Sequence, residues 1–85
     1  MSDLHRRFED AASRAKGLSR PSNEALLDLY ALFKQATVGD VSGEKPGMFD
    51  MVGRAKYEAW AKRKGMSHDD AKQAYVELVD SLAGS

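Results

Sequence analysis

The chain has no cysteine among its 85 residues. This absence excludes disulfides and thiolate metal sites. No apolar run approaches the roughly 20 residues that a membrane-spanning helix requires. The first ten residues, MSDLHRRFED, are polar and lack the apolar centre of a signal peptide. We therefore expect a cytoplasmic protein without stable insertion into a membrane.

An excess of either charge is also missing, since 13 basic residues balance 13 acidic ones. A neutral chain is a poor general binder of polyanions, so we expect no nucleic-acid partner. The charges are unevenly placed, however. From Arg54 to Lys64 there are five basic residues against one acid, Glu58. This local positive field favours a small anionic ligand.

Groups for catalysis are scarce. The only two histidines are His5, near the N-terminus, and His68, in the first turn of a predicted helix. Neither has a neighbour that marks it as an acid–base catalyst, so both are interpreted as surface residues. The segment GDVSGEKP, residues 39–46, faintly resembles a phosphate-binding P-loop, but its spacing is wrong and no Ser or Thr follows Lys45. We predict that the protein is not an enzyme and uses neither a metal nor a cofactor.

Apolar residues recur at helical spacing and nowhere alternate as in a strand. With 42% apolar and 31% charged residues, the composition is that of one ordinary globular domain, residues 1–85. The predicted helices run from about Asp3 to Lys16, from a Ser22 cap to near Val38, from an Asp50 cap to Lys64, and from a Ser67 cap past Leu82. The pattern predicts an all-α fold, a small four-helix bundle.

The boundaries rest on local chemistry. Ser22, Asp50 and Ser67 are residue types that cap a helix N-terminus with a side-chain oxygen. Glycines follow the first and third helices and are expected to end them. The intervening segment TVGDVSGEKPGMFD, residues 37–50, has no periodicity, and a loop of this length is usually either functional or disordered.

The second helix carries two aromatic rings and a lysine side by side. Leu26, Leu29, Tyr30 and Phe33 have the spacing of a core-facing side, and Lys34 lies one turn above Tyr30. In the third helix Lys56 is followed by Tyr57 and Trp60, and the fourth helix adds Tyr75.

Two interpretations of these residues are open. Lysines and tyrosine hydroxyls bind phosphate, and flat rings accept a stacked base, so a nucleotide-like ligand is one. The alternative is a helical protein-interaction module. In it Tyr30, Phe33 and Tyr75 belong to the core, and the basic third helix docks an acidic partner.

The segments LYALFKQATVGD, KPGMFD, GRAKYEAWAKRKGMS and AYVELV follow one another in an order and spacing that resemble the acyl-CoA-binding protein family. The resemblance extends from Phe8 to Leu82. It implies a four-helix bundle of up-down-down-up topology with a ligand bowl between helices. It also implies a monomer that binds, buffers and transports medium- to long-chain acyl-CoA reversibly, without chemistry on it.

The resemblance further implies site residues. Those expected at the coenzyme A head group are Lys16, Tyr30, Phe33, Lys34, Lys56 and Tyr75. Tyr30, Lys34 and Lys56 would hold the 3′-phosphorylated adenosine end, with Tyr75 near the adenosine and Lys16 as a further basic contact. The expected acyl-chain contacts are Ala12, Leu26, Leu27, Met51 and Ala55.

The chain departs from the family pattern at several positions. Phe33 stands where tyrosine is usual, which keeps a ring for stacking and removes a hydroxyl. Val52 replaces a frequent lysine, and Tyr57 replaces a usual tryptophan. The link LSRP, residues 18–21, is one residue shorter than in the common animal form. These differences bear on the affinity and on the preferred chain length.

Overall fold

Four helices form the architecture in a computed structural model that describes residues 3–84. They are α1 (Asp3–Ala15), α2 (Asn23–Thr37), α3 (Met51–Ala61) and α4 (His68–Gly84). No strand occurs within these described residues. The predicted all-α class is therefore confirmed. The predicted domain, residues 1–85, includes residues 1, 2 and 85, which lie outside the described part.

All three predicted N-caps are confirmed. Ser22, Asp50 and Ser67 each accept a hydrogen bond from the backbone N–H three residues later, at 2.9 to 3.0 Å. Each bond satisfies a donor that the first turn of a helix leaves unpaired. At α3 the residue that donates is Gly53, where an added Cβ would collide with the Asp50 carboxylate. Glycine there lets the cap fold over the helix end.

The ends of two helices differ from the prediction. α1 ends at Ala15 rather than Lys16, and α3 ends at Ala61, three residues before the predicted Lys64. After Ala61 the chain tightens, because the N–H of Lys64 donates to the carbonyl of Ala61 rather than to a residue four positions back. Gly65, at φ 89°, donates its N–H to Asp40 in the long loop at 2.8 Å. A tertiary hydrogen bond thus shapes this turn.

The packing order of the helices in space is α1, α4, α2, α3. α4 packs on both α1 and α2, and of the helices described, α3 packs on α2 alone. Arg14 of α1 also pairs with Asp80 of α4 at 2.8 Å. This arrangement leaves clefts between α2 and α3 and at the junction of α1, α2 and α4.

The core lies where α1, α2 and α4 meet. Its buried members are Phe8, Ala11, Leu29, Leu32, Ala36, Ala71, Tyr75, Val76 and Val79. The core-facing side predicted for α2 is wrong in part, since Leu26 is 49% exposed and Phe33 39% exposed. The buried row instead runs through Ala25, Leu29, Leu32 and Ala36. Its alanines contribute little to an apolar pattern but allow neighbouring helices to approach closely.

Candidate ligand-binding site

An apolar cavity of about 390 Å³ lies between α2 and the start of α3. Its lining residues are Asn23, Leu26, Leu27, Met51, Val52, Ala55 and Lys56. Four of the five residues predicted to contact an acyl chain are therefore brought together here, with one of the predicted phosphate-binding lysines at the wall. Leu26 and Met51 are exposed in the structure, so their apolar surfaces are available to a ligand.

A second cavity, of about 500 Å³, lies at the junction of α1, α2 and α4. We call it the aromatic cavity, and its lining residues are His5, Phe8, Glu9, Ala12, Ser13, Lys16, Phe33, Thr37 and Tyr75. It brings together Lys16, Phe33 and Tyr75, all predicted at the head group. Ala12 lines this cavity and not the apolar one, so the structure separates it from the other residues predicted at the acyl chain.

Three rings from three helices form the wall of the aromatic cavity. Phe8 of α1 and Phe33 of α2 are stacked, with centroids 5.5 Å apart and planes at 28°. Tyr75 of α4 meets Phe8 edge-on at 5.1 Å. Phe33 is the exposed member, so part of its ring is available to a planar ligand group. This geometry is suited to stacking a base.

Tyr75 is buried in this wall, and burial raises the pKa of its phenol above the ordinary value. Within residues 3–84 its hydroxyl has no hydrogen-bond partner. The hydroxyl oxygen is not enclosed although the ring is buried, and Tyr75 lines the aromatic cavity, so the hydroxyl is able to bond a ligand atom there.

The two lysines of the predicted phosphate site lie on aromatic rings of the facing helix. Lys34 Nζ of α2 is 5.0 Å from the centroid of Trp60 in α3, and Lys56 Nζ of α3 is 5.3 Å from the centroid of Tyr30 in α2. These cation–π contacts hold both ammonium groups at the α2–α3 seam. None of the carboxylates in the described chain pairs with Lys16, Lys34 or Lys56. Their charge is available to an anion.

The alternative interpretation placed three aromatic residues in the core. Tyr75 is buried, Tyr30 is half-buried, and Phe33 is exposed. Trp60, by contrast, is buried, and its indole N–H donates to the carbonyl of Gly39 at 2.7 Å. The Trp60 ring therefore contacts Lys34 and, because it is buried, is not available to stack on a ligand base.

The start of the long loop is fixed by a network that sequence reasoning missed. Asp40 Oδ1 accepts hydrogen bonds from Gln35 Nε2 and from the N–H of Gly65, each at 2.8 Å. The bond from Gly65, followed by that from Gln35, lowers the pKa of the Asp40 carboxyl. Gln35 also donates to the carbonyl of Met66 at 2.9 Å. A glutamine beside the alanine-rich row of α2 was the available signal, since a buried amide requires partners.

The rest of the loop is held against α3. The Tyr57 hydroxyl donates to the carbonyl of Gly43 at 3.3 Å, and Lys45 Nζ pairs with Glu58 at 2.7 Å. The hydrogen bond from Lys45 lowers the pKa of the Glu58 carboxyl. Tyr57 thus has a structural contact in this chain. These contacts fix the position of the loop beside the candidate site.

Residues 3–84 lack two further kinds of feature. No group of three or more His, Cys, Asp or Glu side chains there is arranged to hold a metal ion. None of the helices formed by these residues combines the length and hydrophobicity needed to cross a bilayer.

The fold and site define a class: a small helical ligand-binding protein with an apolar cavity beside a cationic and aromatic surface. A family profile described as "Acyl CoA binding protein" matches residues 5–79. The chain belongs to the acyl-CoA-binding protein family.

Individual relatives agree with this assignment. The chain is 58% identical to "Acyl-CoA-binding protein homolog 1" of Caenorhabditis elegans over 76 residues, 88% of each chain. It is 53% identical to "Acyl-CoA-binding protein" of Saccharomyces cerevisiae over 76 residues, 88% of this chain and 87% of that one. The crystal structure of Oryza sativa Acyl-CoA-Binding Protein 2 superposes with a TM-score of 0.90 at 42% identity, covering 93% of this chain and 89% of that chain.

Proposed function

We propose that the protein reversibly binds medium- to long-chain fatty acyl-CoA and thereby buffers and carries it, without altering it chemically. One observation carries the proposal beyond family membership. Lys56 lines the apolar cavity and also lies over the Tyr30 ring at the α2–α3 seam. A surface for an apolar chain and a surface for an anionic head group therefore meet at one side chain.

The head group is assigned to the lysines and the aromatic cavity. Lys34 and Lys56 supply ammonium groups for the phosphates, and each charge-assisted hydrogen bond contributes roughly 1.5–3 kcal/mol. Phe33 offers a partly exposed ring, and stacking of a base contributes about 1–3 kcal/mol. These contacts would determine which ligand is recognised and how it is oriented.

The acyl chain is assigned to the apolar cavity. Each methylene that leaves water contributes about 0.8 kcal/mol when fully buried. Leu26, Leu27, Met51 and Ala55 line this surface. The affinity should therefore increase with chain length until the cavity is filled, and the tail should adjust the affinity set by the head group.

Further parts of the proposal are a monomer and a cytoplasmic location. One chain supplies every lining residue of both cavities, so no second copy is needed to complete the site. Sedimentation velocity with and without ligand would test the monomer. Imaging of the tagged protein in cells would test the location.

Calorimetric titration with coenzyme A, octanoyl-CoA, dodecanoyl-CoA, palmitoyl-CoA and free palmitate tests the function. We expect affinity to rise along the CoA series and palmitate to bind much more weakly, because it lacks the phosphates. Equal affinity for coenzyme A and palmitoyl-CoA would refute the acyl assignment. Tight binding of palmitate would refute the head-group assignment.

A further inference from the structure

Methionine carries all the sulfur in this chain, which contains four methionines and no cysteine. Peroxide converts a methionine thioether, which is apolar, into a sulfoxide, which is polar. Met66 is partly buried and packs against the core, and Met1 lies outside the described residues. Met48 and Met51 are 75% and 77% exposed. Of the methionines in residues 3–84, these two are therefore the ones that peroxide in solution reaches directly.

Met51 differs from Met48 in its relation to the candidate site. It is the first residue of α3, and the helix start is fixed by Asp50, whose Oδ1 accepts the N–H of Gly53 at 2.9 Å. Met51 lines the apolar cavity, whereas Met48 does not. Met51 is thus open to solvent in the free protein and belongs to the surface to which we assign the acyl chain.

A sulfoxide at Met51 has different surroundings in the free and the loaded protein. In the free protein water can hydrate the sulfoxide oxygen, because the residue is exposed, so oxidation should cost the fold little. A bound acyl chain would displace this water, and the lining of the cavity is apolar apart from Asn23 and Lys56. Removing a polar group from water without a new hydrogen bond is unfavourable. Oxidation therefore opposes binding of the chain and leaves the folded protein intact.

We propose that Met51 is a site of reversible oxidation, at which peroxide and the chain of a bound acyl-CoA exclude each other. The sulfur attacks one peroxide oxygen, and the S–O bond forms as the O–O bond breaks. The departing hydroxide takes the proton of the transferred hydroxyl and leaves as water. The sulfur is oxidised by two electrons and the peroxide is reduced by two. A sulfoxide reductase reverses the change, with two thiols converted to a disulfide and the oxygen released as water.

The effect of the sulfoxide on affinity rests on the proposed function, whereas the oxidation of Met51 does not. Lys34 and Phe33, which we assign to the head group, do not line the apolar cavity. The oxidised protein should therefore keep its affinity for the head group and lose affinity for the chain. Conversely, a protein loaded with long-chain acyl-CoA should resist oxidation at Met51, because the chain covers the thioether.

The first experiment compares the parent protein with Met51→Leu and with a matched control, Met48→Leu. Each variant removes one exposed thioether and keeps an apolar side chain of similar volume. Affinity is measured by calorimetry before and after treatment with hydrogen peroxide, which is then removed with catalase, and peptide mass spectrometry quantifies each sulfoxide. We expect oxidation to weaken palmitoyl-CoA binding about tenfold in the parent protein and in Met48→Leu. Met51→Leu should be unaffected, and a sulfoxide reductase should restore the parent protein.

Acetyl-CoA provides the matched ligand, since it carries the same head group with almost no chain. Its sulfur is acylated, so unlike coenzyme A it has no thiol to consume peroxide. Its affinity should be unchanged by oxidation in all three proteins.

The second experiment measures protection by the ligand. If only the free protein reacts, palmitoyl-CoA at ten times its Kd should slow sulfoxide formation at Met51 about tenfold. Sulfoxide formation at Met48 should be unchanged in the same sample, which provides an internal control. Acetyl-CoA at ten times its own Kd should protect neither methionine.

Each competing explanation has its own outcome. Unchanged palmitoyl-CoA affinity in a protein whose Met51 sulfoxide is verified would overturn the proposal. An equal loss in Met51→Leu would assign the effect to another methionine, and an equal loss for acetyl-CoA would indicate general damage; either overturns it. Equal oxidation of Met51 with and without palmitoyl-CoA would also overturn it. Failure of the untreated parent protein to bind palmitoyl-CoA would refute the proposed function, and this inference with it.

Discussion

The ammonium nitrogen of Lys34 lies 5.0 Å from the centre of the Trp60 ring, and that ring is fixed by its hydrogen bond to the carbonyl of Gly39. The Lys34 side chain of α2 is thus held against α3. The Trp60 ring of α3 is in turn held by Gly39, in the loop that follows α2. A lysine on a rigid aromatic support, with no carboxylate partner in the described chain, presents its charge to an anion at a defined position.

Lys34→Ala should weaken acyl-CoA binding by about 1.5–3 kcal/mol, because we expect this ammonium to pair with the 3′-phosphate. Removing the 3′-phosphate from the ligand should weaken binding by a similar amount. Calorimetry on all four combinations of protein and ligand forms a double-mutant cycle, in which the two losses should not add. Lys62→Ala is the control, since Lys62 lies beyond the end of α3 and lines neither cavity. Full additivity for Lys34 would show that it does not meet this phosphate.

Tyr75→Phe should weaken binding by about 0.5–1.5 kcal/mol while leaving the melting temperature nearly unchanged. The structure gives the reason: the Tyr75 hydroxyl has no partner within residues 3–84, so its removal leaves no protein group unpaired. Calorimetry and thermal unfolding on the same samples measure both effects. A large fall in melting temperature with unchanged affinity would assign Tyr75 a purely structural role.

Ala55→Leu should narrow the apolar cavity and discriminate between ligands. If the larger side chain displaces about two methylenes, palmitoyl-CoA binding falls about tenfold, while the affinity for coenzyme A itself is retained. Ala59→Leu is the matched control, because Ala59 lies one turn further along α3 and does not line this cavity. Equal losses for coenzyme A and palmitoyl-CoA would show that Ala55 does not contact the chain.

Asp40 should make the free energy of unfolding depend on pH in the acidic range. Its folded-state pKa is lowered below the unfolded value near 3.8, so it stabilises the fold above that value. This contribution is lost as the pH falls through the folded-state pKa. Asp40→Asn should therefore lower stability at pH 6 and flatten the acid side of the profile, measured by urea unfolding from pH 6 down to 2. Glu44→Gln, in the same loop and without hydrogen bonds to described residues, should follow the parent curve. An unchanged acid limb in Asp40→Asn would exclude Asp40 as its source.

Features determined by neighbouring residues were predictable from the sequence. The caps at Ser22, Asp50 and Ser67 depend on a side chain and a backbone N–H three residues away, so their chemistry is legible in the sequence. The end of α3 was not predictable from the sequence in this way. Residues 62–64 suit a helix, and the turn after them depends on a hydrogen bond from Gly65 to Asp40, 25 residues away.

The residues of the site likewise divide into those whose positions follow from local sequence and those whose positions do not. Leu26 and Leu27 share one turn, as do Met51 and Ala55, so their common cavity required only that α2 face α3. The position of Ala12 depends on how α1 crosses α4, which no local pattern encodes. The buried face of α2 was misjudged because Leu26 and Phe33 are large and apolar. Their exposure is what makes them available to a ligand.

The packing of α3 on a single helix has a consequence for local opening. α4 is covered by two helices and should exchange its amide hydrogens only on global unfolding, whereas α3 can separate from α2 with the rest of the core intact. Hydrogen-exchange mass spectrometry should therefore show faster exchange in 51–61 than in 71–79. A ligand that contacts both Lys34 and Lys56 would stabilise the packing of α3 on α2 through contacts outside the core. Saturation with ligand should slow amide hydrogen exchange in α3 far more than in α4. Bound acyl-CoA would then stabilise the helix that the core holds least firmly.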